Sequence, residues 1–219
     1  MKVYVTTATN HRIDVQLAGW FCIALEELGI NYSIMDATDC DVCVMFNGVL
    51  DEDVQKKINI IAEKMPVLYM YDDCDLDIPT NATIVSQFTN TGDIWFPISK
   101  LACFSKYWDN PIKKTKKTLW FYGGTYKERR DYSKLLALDD LLICGDDERW
   151  DEFSDNRFPT IRDMDTLYHL MSTCHNTVIV PDVMHDGINM PLRFYEGVFC
   201  DVQVRLGSIL WPPRYIKAS

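Results

Sequence analysis

No uninterrupted apolar run in this chain approaches the roughly 18 residues that a membrane-spanning helix requires, so no membrane partner is expected. The opening residues MKVYVTT lead straight into a strand-like pattern, without the apolar stretch and small-residue cleavage site of a secretory signal. Its eight cysteines are therefore read as reduced thiols of a cytoplasmic protein. Cys40 and Cys43 form a C-x-x-C, but no second Cys or His pair follows at zinc spacing. The spacing thus reads as a strand edge rather than a metal site, and no metal is expected. Low-complexity tracts and internal repeats are absent as well, and the six-position glycine fingerprint of dinucleotide-binding folds does not occur.

What is present is a 219-residue chain, 47% hydrophobic, enough for one large or two compact domains. Net charge is −10, which excludes a uniformly basic nucleic-acid coat. The charge is segregated, however. Residues 100–134 carry ten Lys and Arg against three acids, a local +7, leaving −17 on the rest of the chain.

Strand-length apolar runs at 2–8, 31–37, 41–48 and 66–73 alternate with helical stripes over 14–30 and after Asp51. Asp14 is expected to cap the first helix and Gly29 to stop it. Strands alternating with helices imply a parallel, helix-covered sheet, because a parallel neighbour is reached only through a crossover. The rhythm breaks at DNPIKKTKK and resumes with strands over 118–124, 140–146, 176–182 and 201–207. Helices are expected between them over 127–138, 163–174 and 191–200. The expected organisation is therefore α/β: two small Rossmann-like parallel-sheet domains, 1–98 and 118–219, joined by a linker at 99–117 and facing across a cleft.

Ligands of open parallel sheets bind beyond the carboxyl ends of the strands, so the loops there hold the candidate chemistry. In YGGTYKERR, Gly123 and Gly124 let the backbone approach a ligand, while Lys127, Arg129 and Arg130 add positive charge beside a helix N-terminus, a combination suited to a diphosphate. In HDGINMPLRFYEGVF, His185 lies in a polar loop feeding a helix whose Arg193 suits a phosphate and whose Glu196 suits a ribose diol. On the N-terminal half, His11 and Asp14 follow the first strand and Asp72 and Asp73 follow the fourth. Any of these four has the chemistry to take a proton from an attacking hydroxyl.

The run PLRFYEGVFCDVQV resembles the nucleotide-binding loop, helix and strand of GT-B-type glycosyltransferases, and LWFYGGTYKERR resembles the first strand and glycine turn of their C-terminal domain. The two matches occur in the expected order, and the chain is similar to short tailed-phage glycosyltransferases, including those that modify DNA. That resemblance implies a minimal GT-B-like fold and transfer of a sugar from a nucleoside-diphosphate donor, a UDP-sugar favoured, to a hydroxyl acceptor, with no cofactor and no metal needed. It assigns the ribose to Glu196, the diphosphate backbone contacts to Gly123 and Gly124, and charge neutralisation to Arg130 and Arg193. Position 188, where many retaining members carry a second Glu, is Ile. The surplus of cations points to a polyanion as acceptor, namely DNA bearing a hydroxylated base, held by Lys113, Lys114, Lys116 and Lys117. The alternative is a glycosyltransferase-like scaffold that binds a nucleotide or a partner without catalysis.

Overall fold

The computed structural model describes residues 1–47, 51–71, 80–87, 92–98, 101, 113–122, 135, 138–145, 157–158, 161, 163–180, 192–200, 202–206 and 209–211. The chain divides into two compact units, Met1–Ser105 and Lys106–Ser219. Each contains a six-stranded sheet, so the two-domain parallel α/β organisation expected from the strand–helix rhythm is the one observed.

In the first unit the order of elements is β1 (Lys2–Thr7), α1 (Arg12–Glu27), β2 (Asn31–Ser33), β3 (Val42–Phe46), α2 (Glu52–Ala62), β4 (Val67–Tyr71), β5 (Thr83–Ser86) and β6 (Ile94–Trp95). Its sheet runs β2-β1-β3-β4-β5-β6, every pair parallel. The chain therefore moves outward in one direction from β1 to β2 and in the other from β3 onward. The switch point lies between β1 and β3, where the last paired residues are Thr7 and Phe46. Alternate side chains of these strands, with Val54 and Ile58 of α2, form a buried core around Cys43, Met45, Tyr69 and Tyr71. Asp51 caps α2 by accepting from the Val54 N–H at 2.8 Å. Gly29 follows α1 with φ +66°, the left-handed conformation that a glycine stop predicts.

Three details depart from the sequence reading. Helix α1 begins at Arg12, so the cap position is His11, whose side chain makes no capping bond, and Asp14 sits in the first turn instead. Strand β2 stops at Ser33 rather than 37: Ser33 Oγ accepts from the Asp36 N–H (3.2 Å) and Asp36 from the Thr38 N–H (2.9 Å), a turn that draws the chain away from its pairing with β1. Cys43 lies inside β3, where burial pushes its thiol up to about 12, while Cys40 sits in the preceding turn.

The second unit comprises β7 (Thr118–Tyr122), β8 (Leu141–Gly145), β9 (Arg157–Phe158), α3 (Met164–Thr173), β10 (Asn176–Ile179), α4 (Leu192–Phe199), β11 (Gln203–Leu206) and β12 (Ile209–Trp211). Its sheet runs β12-β11-β10-β7-β8-β9. Strands β7 and β10, far apart in sequence, are adjacent and parallel, which puts this unit's switch point between them. The strand expected to be last, β11, is followed by one more, β12, which pairs with it antiparallel. The helix expected over 127–138 falls almost wholly outside the described residues. Among those described, no helix is long and apolar enough to cross a membrane.

Helix α4 lies against β10 and β11 through Phe194, Ile179 and Val204. Its closeness depends on Gly197. A Cβ there would stand 2.7 Å from Thr177 Cγ2 and 2.8 Å from Val204 Cγ2, nearer than carbon atoms pack. The residue is glycine because the methyl groups of Thr177 and Val204 occupy the space a side chain would need.

Candidate donor and acceptor sites

The tight seat of α4 fixes where Arg193 and Glu196 are presented. Three residues apart, they share one face of the helix and meet. The Arg193 guanidinium donates to Glu196 Oε2 in a short ion pair. Glu196 Oε1 accepts from the Tyr168 hydroxyl of α3 at 2.8 Å. Burial, and then the neighbouring carboxylate charge, push the Tyr168 phenol far above its ordinary value, so it keeps its proton and remains a donor. The Glu196 side chain is wholly buried whereas that of Arg193 is 27% exposed. Arg193 is thus the member of the trio that solvent reaches. Burial and the same carboxylate also raise the thiol of Cys200, one turn further on.

Sequence reasoning singled out Arg193 and Glu196, which the fold brings into contact, but not Tyr168. Leu167, Tyr168 and Met171, all buried in α3, read as an apolar stripe, and only the tertiary structure shows that the phenol ends on a carboxylate 28 residues later. Gly123, Gly124, Lys127, Arg130 and His185, the other donor-side candidates, lie outside the described residues, as does Arg129.

The basic stretch Lys113–Lys117 runs along the second unit. The Thr115 N–H donates to the Thr173 carbonyl at 2.6 Å, and the Lys117 carbonyl accepts from the His175 N–H at 3.0 Å. Lys114 is half-buried and its ammonium donates to the Cys200 carbonyl at the end of α4 (3.2 Å), a cation where the helix dipole favours one. Lys113, Lys116 and Lys117 are exposed. Three of the four expected phosphate-contacting lysines therefore face water, and the fourth is engaged with the fold.

In the first unit, Thr9 and Asn47 follow the ends of β1 and β3, directly beyond the switch point. The Thr9 hydroxyl lies 3.1 Å from Asp14 Oδ2 and 3.4 Å from Asn47 Oδ1, and it accepts from the His11 N–H at 3.2 Å. Lys57 of α2 donates to the Ala8 carbonyl at 2.8 Å. Asp14 is buried in this cluster, and His11 is exposed at its rim. Asp72 and Asp73, the other candidate bases, lie outside the described residues. Among the described residues no three His, Cys, Asp or Glu side chains group as a metal ion would need.

No protein-family profile matches the chain, and no curated protein matches it by sequence. Solved structures do. A structure of T4 phage beta-glucosyltransferase concerned with substrate binding matches with a TM-score of 0.66 at 15% identity, covering 93% of this chain and 79% of that one. The T4 phage enzyme in complex with UDP and Mn2+ matches with a TM-score of 0.64 at 15% identity, over 93% of this chain and 80% of its own. The structure described as the DNA-modifying enzyme with and without uridine diphosphoglucose gives 0.62 at 14% identity, over 94% and 79%. Two Rossmann-like units, each with its own switch point, give this chain the GT-B-like fold that it shares with T4 phage beta-glucosyltransferase.

Proposed function

We propose that the chain is a glycosyltransferase that moves a sugar from a UDP-sugar to a hydroxyl acceptor, a hydroxylated base in DNA being the favoured one. The observation that carries this reading is Arg193: an arginine held on a tightly seated helix directly after β10, the strand that borders the switch point of the second unit. Nucleotides bind beyond such points, and an arginine there pairs with phosphate oxygens. Lys127 and Arg130 add charge, and Gly123 and Gly124 allow the backbone close to the diphosphate. His185, which follows β10 in the sequence, supplies a further donor. The similarity to a fold whose T4 phage representative has been described with UDP and with uridine diphosphoglucose supports the same donor class here.

The chemistry asks for two further things. The leaving diphosphate gains charge as the sugar departs, and fixed cations stabilise it. The acceptor oxygen must lose its proton as it attacks the anomeric carbon, and a base on the first unit, among His11, Asp14, Asp72 and Asp73, receives it. Cations on the donor side perform the neutralisation that a divalent ion otherwise provides, so binding is proposed to need no metal. The T4 phage enzyme has been described with Mn2+, which makes chelation a direct test. Activity lost in EDTA and restored by manganese overturns that part of the reading.

Donor binding is checked by thermal shift with nucleoside diphosphates and their sugars. A ligand at one hundred times its dissociation constant adds about 2.7 kcal/mol of stability. UDP and UDP-glucose are expected to shift the transition, and no shift with any nucleotide refutes the reading. DNA binding is checked by its salt dependence. Changing Lys113, Lys116 and Lys117 together to Gln should make the log–log salt slope shallower by about 2.7, at about 0.9 per lost phosphate contact on duplex DNA. An unchanged slope would direct attention to a small-molecule or glycan acceptor.

On the acceptor side, Asp14→Asn should lower turnover by about two orders of magnitude if Asp14 is the base, with donor affinity retained. His11→Ala distinguishes the exposed rival: the variant that abolishes turnover while still binding UDP identifies the base. If neither does, the base is Asp72 or Asp73.

A further inference from the structure

The strand directions of the second unit put its exposed lysines at one end of the sheet and Arg193 at the other. We propose that Lys113, Lys116 and Lys117 form a preset surface for the phosphate backbone of duplex DNA flanking the target base, about five base pairs away from it, and take no part in holding the donor or the reacting base. The inference rests on the DNA-acceptor reading above.

Strands β7, β8, β10 and β11 are parallel, and their register sets Thr118 beside Leu141 and Asn176, and Asn176 beside Gln203, so all four start level. Lys113–Lys117 and His175 precede these starts and lie along the amino edge of the sheet. Arg193 belongs to the helix that follows the carboxyl end of β10. The five residues of β7, at about 3.3 Å each, separate the two edges by roughly 16 Å. Helix α4 gives a second ruler: Arg193 is in its first turn, and Lys114 donates to the carbonyl of Cys200 just past its end, about 10 Å along the axis.

The lysine stretch is held in shape rather than left as a free linker. The Thr115 N–H is bonded to the Thr173 carbonyl, and the Lys117 carbonyl accepts from the N–H groups of His175 (3.0 Å) and Asn176 (3.4 Å). A backbone fixed in this way does not have to be ordered when a ligand binds. Among the described residues of this edge the one exposed carboxylate is Asp139, while Asp140 is half-buried and accepts from the Thr118 hydroxyl at 2.8 Å. In a chain of net charge −10, three exposed ammonium groups on a fixed edge attract a polyanion, and a diphosphate bound near Arg193 is too far off to be their ligand. A stiff duplex is long enough to meet both edges at once. Its phosphates recur about every 3.4 Å along each strand, so roughly 16 Å of sheet corresponds to about five base pairs.

The test measures binding of two DNA probes to the full chain by fluorescence anisotropy at low salt, each with a central hydroxymethylated base. One is a duplex of about 24 base pairs; the other is a stem of about six pairs closed by a non-nucleotide linker, which extends only about 10 Å to either side of the base. Calorimetry measures UDP in parallel. Wild type is compared with the triple variant Lys113→Gln, Lys116→Gln, Lys117→Gln, which keeps Lys114 and its bond to the end of α4, and circular dichroism checks that the variant folds. The variant is expected to lose about 10- to 100-fold on the long duplex, with a log–log salt slope shallower by about 2.7, and to bind the stem and UDP within about twofold of wild type. A stem that neither protein holds agrees with the proposal when the long duplex separates them and UDP does not. Equal loss on stem and duplex, or a parallel loss of UDP affinity, puts the lysines beside the reacting groups and overturns it. Unchanged affinity for the long duplex also overturns it, while the DNA-acceptor reading stands. A wild-type chain that binds neither probe refutes both. Length- and lysine-dependent binding by a chain that transfers no sugar refutes the proposed activity and leaves this surface in place.

Discussion

Arg193→Ala is expected to lower UDP affinity about 100-fold and to destabilise the fold at the same time. The two losses have separate causes. Removing a charge-assisted partner of the diphosphate costs roughly 2–3 kcal/mol of binding. Removing the guanidinium from a fully buried carboxylate leaves that charge with Tyr168 as its remaining partner from the trio, and breaking a buried pair in this way costs about 3 kcal/mol of folding free energy. Arg193→Lys separates them. The charge is kept, so most of the stability returns, but the ammonium lacks the fork that spans two phosphate oxygens and affinity stays low. Urea denaturation and calorimetry on the two variants read both quantities. Equal UDP affinity in wild type and Arg193→Ala would remove the donor from this helix.

The second large effect is expected at Gly197, where α4 packs against the sheet. Gly197→Ala places a methyl group 2.7 and 2.8 Å from two methyls on stiff, β-branched side chains of neighbouring strands. Neither can swing away as the tip of a long side chain would, so α4 must lift from the sheet. Overpacking of this kind costs about 1–3 kcal/mol, partly offset by roughly 1 kcal/mol of better helix propensity. Because α4 carries Arg193, nucleotide affinity should fall together with stability. A stable Gly197→Ala variant with wild-type UDP affinity would show that the close seat is incidental.

The strands β1, β3 and β4 and the helices α1 and α2 were legible in the sequence because their apolar periodicity runs for several residues between clear turn signals. Strands β5, β6, β9 and β12 were not, for they are two to four residues long and their register comes from the strands beside them. Strand order was likewise hidden. Nothing local in TLWFY or NTVI says that these two segments pair, yet that pairing creates the switch point on which the donor reading rests. Asp14 shows how little separates a helix cap from a member of a buried polar cluster. With the helix starting at Arg12, its carboxylate moves from the helix end into the polar cluster beyond β1 and β3. Lys114 shows the converse: its charge was evident in the sequence, but its engagement with the Cys200 carbonyl, 86 residues later, depends on where the fold places the end of α4.

The most direct test of the central claim is UDP release from UDP-glucose, followed with and without DNA carrying hydroxymethylated bases. A transferase releases UDP in proportion to the hydroxylated acceptor consumed, with the sugar appearing on the DNA and little release when unmodified DNA is supplied. Saturable binding of UDP-glucose with no release above the uncatalysed background, whatever acceptor is offered, would contradict the account and leave a nucleotide-binding protein built on the same fold.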